Sequence, residues 1–218
     1  MDVSEANTFF RSAGLWYNVF IIFKNRYKQN SGYSYQVLYH NNSYDFYKFY
    51  THIKLSVCPH CNREGCLILH GFLYGYGDET GSGLIKRGRR IFCNNRKKRN
   101  GCGKTFSILK SRLIRNSMIC ADTLWAFLNR IKNGEFLAGA FRLSVKNMSK
   151  SSGYRLLRKF RLCQSRIRTR LNSIKDPPYL SINKPFVQTI IHLEEVFQEC
   201  PISSFQYHFQ AGFFNIEW

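Results

Sequence analysis

Acidic residues are scarce in this chain: 13 Asp and Glu stand against 33 Lys and Arg over 218 residues, a formal charge of +20. An excess of that size is far beyond what solubility needs and points to a polyanionic partner, nucleic acid before an anionic membrane surface. Long apolar runs are missing too. The longest early one, Val19 to Phe23, is too short for a signal-peptide core or for a membrane span of about 20 residues, and no basic stretch precedes it. The expectation is a cytoplasmic, nucleoid-associated protein in a reducing compartment. There the eight cysteines read as metal ligands or buried thiols rather than disulfides. No Ser-His-Asp set, phosphate-cradling glycine loop or His-Glu-x-x-His pattern occurs, and Gly81-Ser82-Gly83 reads as a hairpin tip. A non-enzymatic protein is expected.

The missing acids leave two cationic windows. From Thr80 to Ala121 there is no Asp or Glu but twelve Lys and Arg, and from Phe136 to Lys175 none but eleven. Prolines are few, only five, and Asp176-Pro177-Pro178 marks a boundary after which the charge changes sign through Glu194, Glu195, Glu199 and Glu217.

Residues 1–56 form an aromatic-rich module holding Phe9, Phe10, Trp16, Phe20 and Phe23. Leu15, Val19, Ile22 and Phe23 predict a helix from about Ser4 to Lys24, and Tyr33, Tyr35, Val37 and Tyr39 alternate as in a half-buried strand. Asn41-Asn42-Ser43 is a turn signal. This module either braces the next one or offers an aromatic platform for bases.

Residues 57–115 carry the chemistry. Cys58-Pro59-His60-Cys61 is a pair of thiols two residues apart, answered by Cys93 and Cys102. These four are the expected tetrahedral ligands of Zn2+. Cys66, His60 and His70 are substitutes read as bystanders, and Cys120, Cys163 and Cys200 as small buried hydrophobes. Leu67 to Tyr74 and Leu84 to Phe92 read as strands around a loop from Gly75 to Gly83, so each ligand pair sits on a knuckle and a β-hairpin joins them. Gly101 and Gly103 flank Cys102 and permit the tight backbone that turns amides toward a thiolate.

Residues 116–175 read as helical. Asp122 is placed to cap a helix with Leu124, Phe127, Leu128 and Ile131 on one face, stopped by Asn133-Gly134. A short helix with Phe136, Leu137, Ala140 and Phe141 follows. After a turn at Ser144 to Asn147 comes a longer helix, from about Ser152 to Ile174, capped by Ser149 or Ser151. Its stripe is Leu156, Leu157, Phe160, Cys163, Ile167, Leu171 and Ile174. Short helix, turn and basic helix match a helix-turn-helix; the alternative is an ordinary three-helix bundle with a solvated basic face. Residues 176–218 form an apolar helical tail. Phe186, Ile190, Leu193 and Phe197 give a stripe, with Phe205, Tyr207, Phe209, Phe213, Phe214 and Trp218 beyond it. The tail is expected to fold back on the N-terminal module or to meet a protein partner.

Cys58-Pro59-His60-Cys61, His70-Gly71-Phe72, Arg89-Arg90-Ile91-Phe92-Cys93 and Cys102-Gly103-Lys104-Thr105-Phe106-Ser107 stand in series before this helix pair. Over Val57 to about Ile174 that series resembles the zinc-ribbon plus helix-turn-helix region of bacterial insertion-sequence transposases and their accessory proteins. The Gly75 to Gly83 insertion and the eight residues between Cys93 and Cys102 depart from the compact pattern. The resemblance implies binding of duplex transposon-end or promoter DNA. Full transposases of this type continue into a magnesium-binding catalytic domain, for which the 42 residues after Asp176 are too few.

The sequence thus predicts an α+β protein: a small four-cysteine zinc ribbon, a helix-turn-helix domain, and aromatic N- and C-terminal segments packed together. Its function is expected to be that of a DNA-binding mobile-element protein. Arg96, Lys97, Lys98, Arg99, Lys104, Lys110, Arg112 and Arg115 are expected on phosphates. Lys146, Lys150, Ser151, Tyr154, Arg155 and Arg158 are expected on the DNA-reading helix. The rival readings are a protein-interaction adaptor, a nuclease or strand-transfer subunit, and a zinc-ribbon protein that binds RNA.

Overall fold

The computed structural model of the chain describes residues 37–41, 43–78, 83–96, 99–145, 148–179 and 184–214. The helix expected from Ser4 to Lys24 lies outside them, as do Lys97, Lys98, Lys146 and Trp218. Within them the protein is α+β, with a four-stranded sheet and six helices.

The alternation ending at Tyr39 becomes β1 (Val37–His40), in which Leu38, Tyr39 and His40 are buried. Next comes α1 (Ser43–Leu55), a helix not anticipated above. Phe46, Phe49 and Ile53, spaced three and four apart, are its buried stripe. The backbone N–H of Leu69 donates to the Tyr50 hydroxyl at 3.2 Å and ties α1 to the sheet.

Long strands β2 (Leu67–Tyr76) and β3 (Leu84–Cys93) form an antiparallel hairpin, and β4 (Thr105–Lys110) returns against β3. β1 pairs parallel with β4, Leu38 opposite Ile108, which gives the order β1-β4-β3-β2. Closing that parallel pair requires a long crossover, here α1, both knuckles and the hairpin. The hairpin register slips twice, between Leu69 and Gly71 and between Leu73 and Tyr74. At the second slip β3 carries Arg87 as an extra residue, and such a bulge re-aims its side chain. Arg87 donates to the carbonyls of Tyr76 at 2.6 Å and of Ile114 at 2.7 Å, so this cation is spent on the fold. Leu38, Phe46, Phe49, Ile53, Leu67, Ile91, Phe106 and Ile108 form one core, continuous with Cys58 and Cys93 at its end.

A second core lies in the helices α2 (Ala121–Lys132), α3 (Leu137–Ser144), α4 (Lys150–Leu171), α5 (Pro185–Val196) and α6 (Pro201–Phe209). Two expectations change here. Cys120, not Asp122, caps α2: its backbone is extended and its Sγ accepts from the Thr123 N–H at 3.4 Å, while Asp122 sits inside the first turn. Cys200 is exposed, in a left-handed conformation at the start of α6, because Pro201 opens that helix and leaves the thiol outside the apolar stripe. The stop at Asn133-Gly134 is as expected, with Gly134 at φ +91°. The long helix runs two residues earlier and three shorter than its apolar stripe suggests, so Ile174 lies past its end and is 43% exposed.

Ile190, Leu193, Ile202, Phe205 and Phe213 of the tail share one core with Leu124, Phe127, Phe141 and Phe160. The tail also reaches the sheet. Gln210, fully buried, accepts from the Tyr39 N–H at 2.8 Å and donates to the Tyr39 carbonyl at 2.9 Å, satisfying the outer edge of β1 as another strand would. Gln206 donates to the Ser111 carbonyl, and its Oε1 accepts from the Phe213 N–H at 3.0 Å. Gln210→Ala is therefore expected to strand two buried backbone groups and lower stability by about 1–3 kcal/mol, read as a shift in the urea midpoint. A variant that unfolds at the wild-type midpoint would show that the tail does not brace β1.

Candidate metal centre and basic surface

Two turns bring the four cysteines together. In the first, the Cys58 N–H donates to the Arg63 carbonyl at 2.8 Å and Asn62 N–H to the Cys58 carbonyl at 2.9 Å, with Asn62 at φ +58°. In the second, Cys93 ends β3, and Gly103 at φ +74° donates its N–H to the Cys93 carbonyl at 3.0 Å. A Cβ on Gly101 would lie 2.3 Å from the Asn94 carbonyl oxygen, so the loop closes only with glycine there.

The result is a cluster of Cys58, Cys61, Cys93 and Cys102 in which all sulfurs lie within 4.8 Å of one another. Cys58 to Cys102 is 3.8 Å and Cys61 to Cys93 is 3.7 Å. Four sulfurs at about 2.3 Å from a tetrahedral ion lie about 3.8 Å apart, so the spacing fits a metal. Backbone amides already face the sulfurs: His60 N–H points at Cys58 Sγ at 3.4 Å and Cys102 N–H at Cys93 Sγ at 3.2 Å. Such contacts orient ligating thiolates. Burial pushes the Cys58 thiol up, and the Cys93 thiol to about 11. Cys61, despite its own desolvation, is held below the usual thiol range by the Arg63 amide and the neighbouring thiols. Four thiolates this close repel one another, and a cation among them removes that repulsion.

Cys66, His60 and His70 lie outside the cluster. Cys66 donates to the Glu64 carbonyl, and His70 is exposed beside the Phe92 ring. Burial, and to a lesser degree the nearby charge of Lys104, holds the His60 imidazole below its usual range.

The basic residues divide by place. Arg96, Arg99 and Lys104 are exposed around the second knuckle, Arg96 above the Phe92 ring. Lys110, Arg112 and Arg115 lie at the far end of β4, about 20 Å along a six-residue strand, and Arg112 faces Asp122 at 3.7 Å. Lys150, Ser151, Tyr154, Arg155 and Arg158 are all exposed on the first turns of α4. The helix buries Ser152, Gly153, Leu156, Leu157 and Phe160 on its other side. A Cβ on Gly153 would come within 2.8 Å of the Phe141 ring, so glycine lets α3 and α4 approach closely. No acidic residue occupies the first turn of α4, where an aspartate or glutamate would favour the helix dipole.

One surface escaped the sequence reading. Phe72, Tyr74 and Tyr76, at alternate positions of β2, are 40%, 62% and 54% exposed, opposite Arg89, Lys86 and Leu84 of β3. Lys86 Nζ lies 3.4 Å and Arg89 Cζ 4.0 Å from the Phe72 ring centroid. Lys86 is held below the usual ammonium range, by desolvation first and then by the charges of Arg89 and Lys110. The alternation Phe72, Tyr74, Tyr76 was the available signal; which face of the hairpin met solvent was not.

No family model, no curated protein and no solved structure matches the chain. Among the described residues no helix is long and apolar enough to cross a membrane.

Proposed function

We propose that the four-cysteine cluster holds a structural zinc ion, that the knuckles and hairpin around it are a zinc ribbon, and that the protein binds duplex DNA without catalysing a reaction on it. The observation that carries this reading is the pairing of a four-thiol cluster of tetrahedral spacing with exposed basic surfaces in two windows that contain no acid. Thiolate-only sites select zinc over magnesium or calcium, which prefer oxygen donors. The zinc closes two loops that contribute little apolar area of their own.

In this reading α3, α4 and the segment that joins them act as a helix-turn-helix. The N-terminus of α4 attracts phosphate through its dipole and Lys150, and Ser151, Tyr154, Arg155 and Arg158 face the major groove. Arg96, Arg99 and Lys104 on the knuckle add phosphate contacts without sequence information. The resemblance to insertion-sequence transposases supports reading the protein as an accessory or regulatory factor of a mobile element.

Selection from a random duplex library, followed by affinity measurements on the preferred site and on scrambled DNA, tests the reading. Arg155→Ala is expected to cost about 1–3 kcal/mol on the preferred site and little on scrambled DNA. Equal loss on both removes Arg155 from base recognition, and a library that yields no preferred site removes the helix-turn-helix reading.

A further inference from the structure

We propose that the open face of the β2–β3 hairpin binds an unpaired nucleic-acid strand, with bases stacked on Tyr74 and Tyr76 and phosphates held by Lys86 and Arg89. The occupant is inferred from the chemistry of the face. Two large rings lie open on it, Tyr74 and Tyr76, directly opposite Lys86 and Leu84. Phe72 serves differently: with Lys86 and Arg89 both against its ring, its π-face is taken and its effect is to gather two cations beside the tyrosines.

Spacing supports the same occupant. Alternate side chains on one strand face stand about 6.6 Å apart, and stacked bases about 3.4 Å, so the interval between successive rings admits one base. The Phe72 and Tyr74 rings, 6.2 Å apart and inclined at 60°, meet edge to face, which leaves the tyrosines as the stacking rings. No Asp or Glu occurs in β2, β3 or β4, so nothing on the sheet itself repels a phosphate chain. A duplex cannot use this face as a strand can, because its bases are already stacked on one another. Base stacking on aromatic side chains tolerates any sequence, and the basic flank supplies affinity. The proposal rests on the nucleic-acid reading above but assigns a separate surface from α4.

The experiment uses the full chain with fluorescent twenty-nucleotide oligothymidylate, oligouridylate and the selected duplex. Tyr74→Ala/Tyr76→Ala is expected to weaken binding to oligothymidylate about tenfold or more and to leave duplex affinity within about twofold. Tyr74→Phe/Tyr76→Phe, which keeps the rings, is expected to bind like the wild type. Equal effects on oligothymidylate and oligouridylate support recognition of the pyrimidine ring and the phosphates, the features that the two strands share. Unchanged oligothymidylate binding in the alanine variant overturns the stacking face while leaving duplex recognition standing. Weakened binding of Arg155→Ala to the selected duplex with single-strand binding intact supports two separate surfaces. Should the alanine variant fail to fold, photocrosslinking of bromodeoxyuridine oligonucleotides to the wild type decides the matter: crosslinks at Tyr74 or Tyr76 support the face, and their absence overturns it.

Discussion

Replacing Cys58 with serine is expected to empty the metal site and collapse both knuckles, the largest single-residue effect in the molecule. Cys58 is fully buried, and its sulfur lies 3.8 Å from Cys102, so it links the two halves of the ligand set across the cluster. A serine hydroxyl is a poor zinc ligand at neutral pH, and three thiolates leave the ion open to water and exchange. In small zinc-binding peptides the metal contributes about 10–16 kcal/mol to folding. Whole domains are stable by only about 5–15 kcal/mol. Wild-type protein should carry one zinc per chain by elemental analysis, and Cys58→Ser close to none. Amide exchange should accelerate over residues 57–66 and 93–104, with less change in α1, whose Phe46, Phe49 and Ile53 pack on the apolar part of the same core. Cys66→Ser is the control. Cys66 is buried nearby but lies outside the four-sulfur cluster, its sulfur donating to the Glu64 carbonyl, so that variant should keep its zinc. Metal-free wild-type protein, or full zinc in Cys58→Ser, would end the metal reading.

The four-cysteine cluster was legible because a thiol pair two residues apart is a local pattern whose geometry hardly depends on the rest of the chain. Cys93 and Cys102, with eight residues between them, are the weaker half of the pattern, marked by the strand that ends at Cys93 and by Gly101 and Gly103 on either side of Cys102. Helix α1 was not legible, since Phe46, Phe49 and Ile53 sit among tyrosines that read equally well as strand; the sheet beneath them decides. Cap identity depends on the same kind of detail. Asp122 is the stronger capping type by propensity, yet the Cys120 N–H is fixed by Asp78 Oδ2 at 2.9 Å, and that long-range contact sets where α2 begins. The bulge at Arg87 has no sequence signature, and it separates a structural arginine from Lys86 one residue away. Charge windows show where cations are abundant, but only packing shows which of them are already used.

Binding to duplex DNA is expected to weaken by about 10³–10⁵-fold between 50 and 200 mM salt, the response of a protein that makes roughly six to ten phosphate contacts. Contacts of that number are at hand in the exposed Arg96, Arg99 and Lys104 of the knuckle and the exposed Lys150, Arg155, Arg158, Lys159 and Arg161 of α4. Each phosphate neutralised releases condensed counterions, so the slope of log affinity against log salt counts contacts independently of sequence. Among the described residues, the ion pairs of Arg112 with Asp122, Arg130 with Glu135, Lys132 with Glu194 and Lys175 with Glu195 lie apart from Arg96, Arg99 and the five cations of α4. Neutralising Arg96 and Arg99 together should lower the slope by about 2 on any sequence, whereas Arg155→Ala changes sequence preference more than slope. The distinction matters because an adaptor that meets proteins through its aromatic surfaces holds its partner by apolar burial, whose strength salt does not erode in this way. A binding curve flat in salt, or a failure of both duplex and single strands to compete at low ionic strength, would therefore transfer the +20 charge from recognition to some other role and leave the four-cysteine cluster as a purely structural clasp.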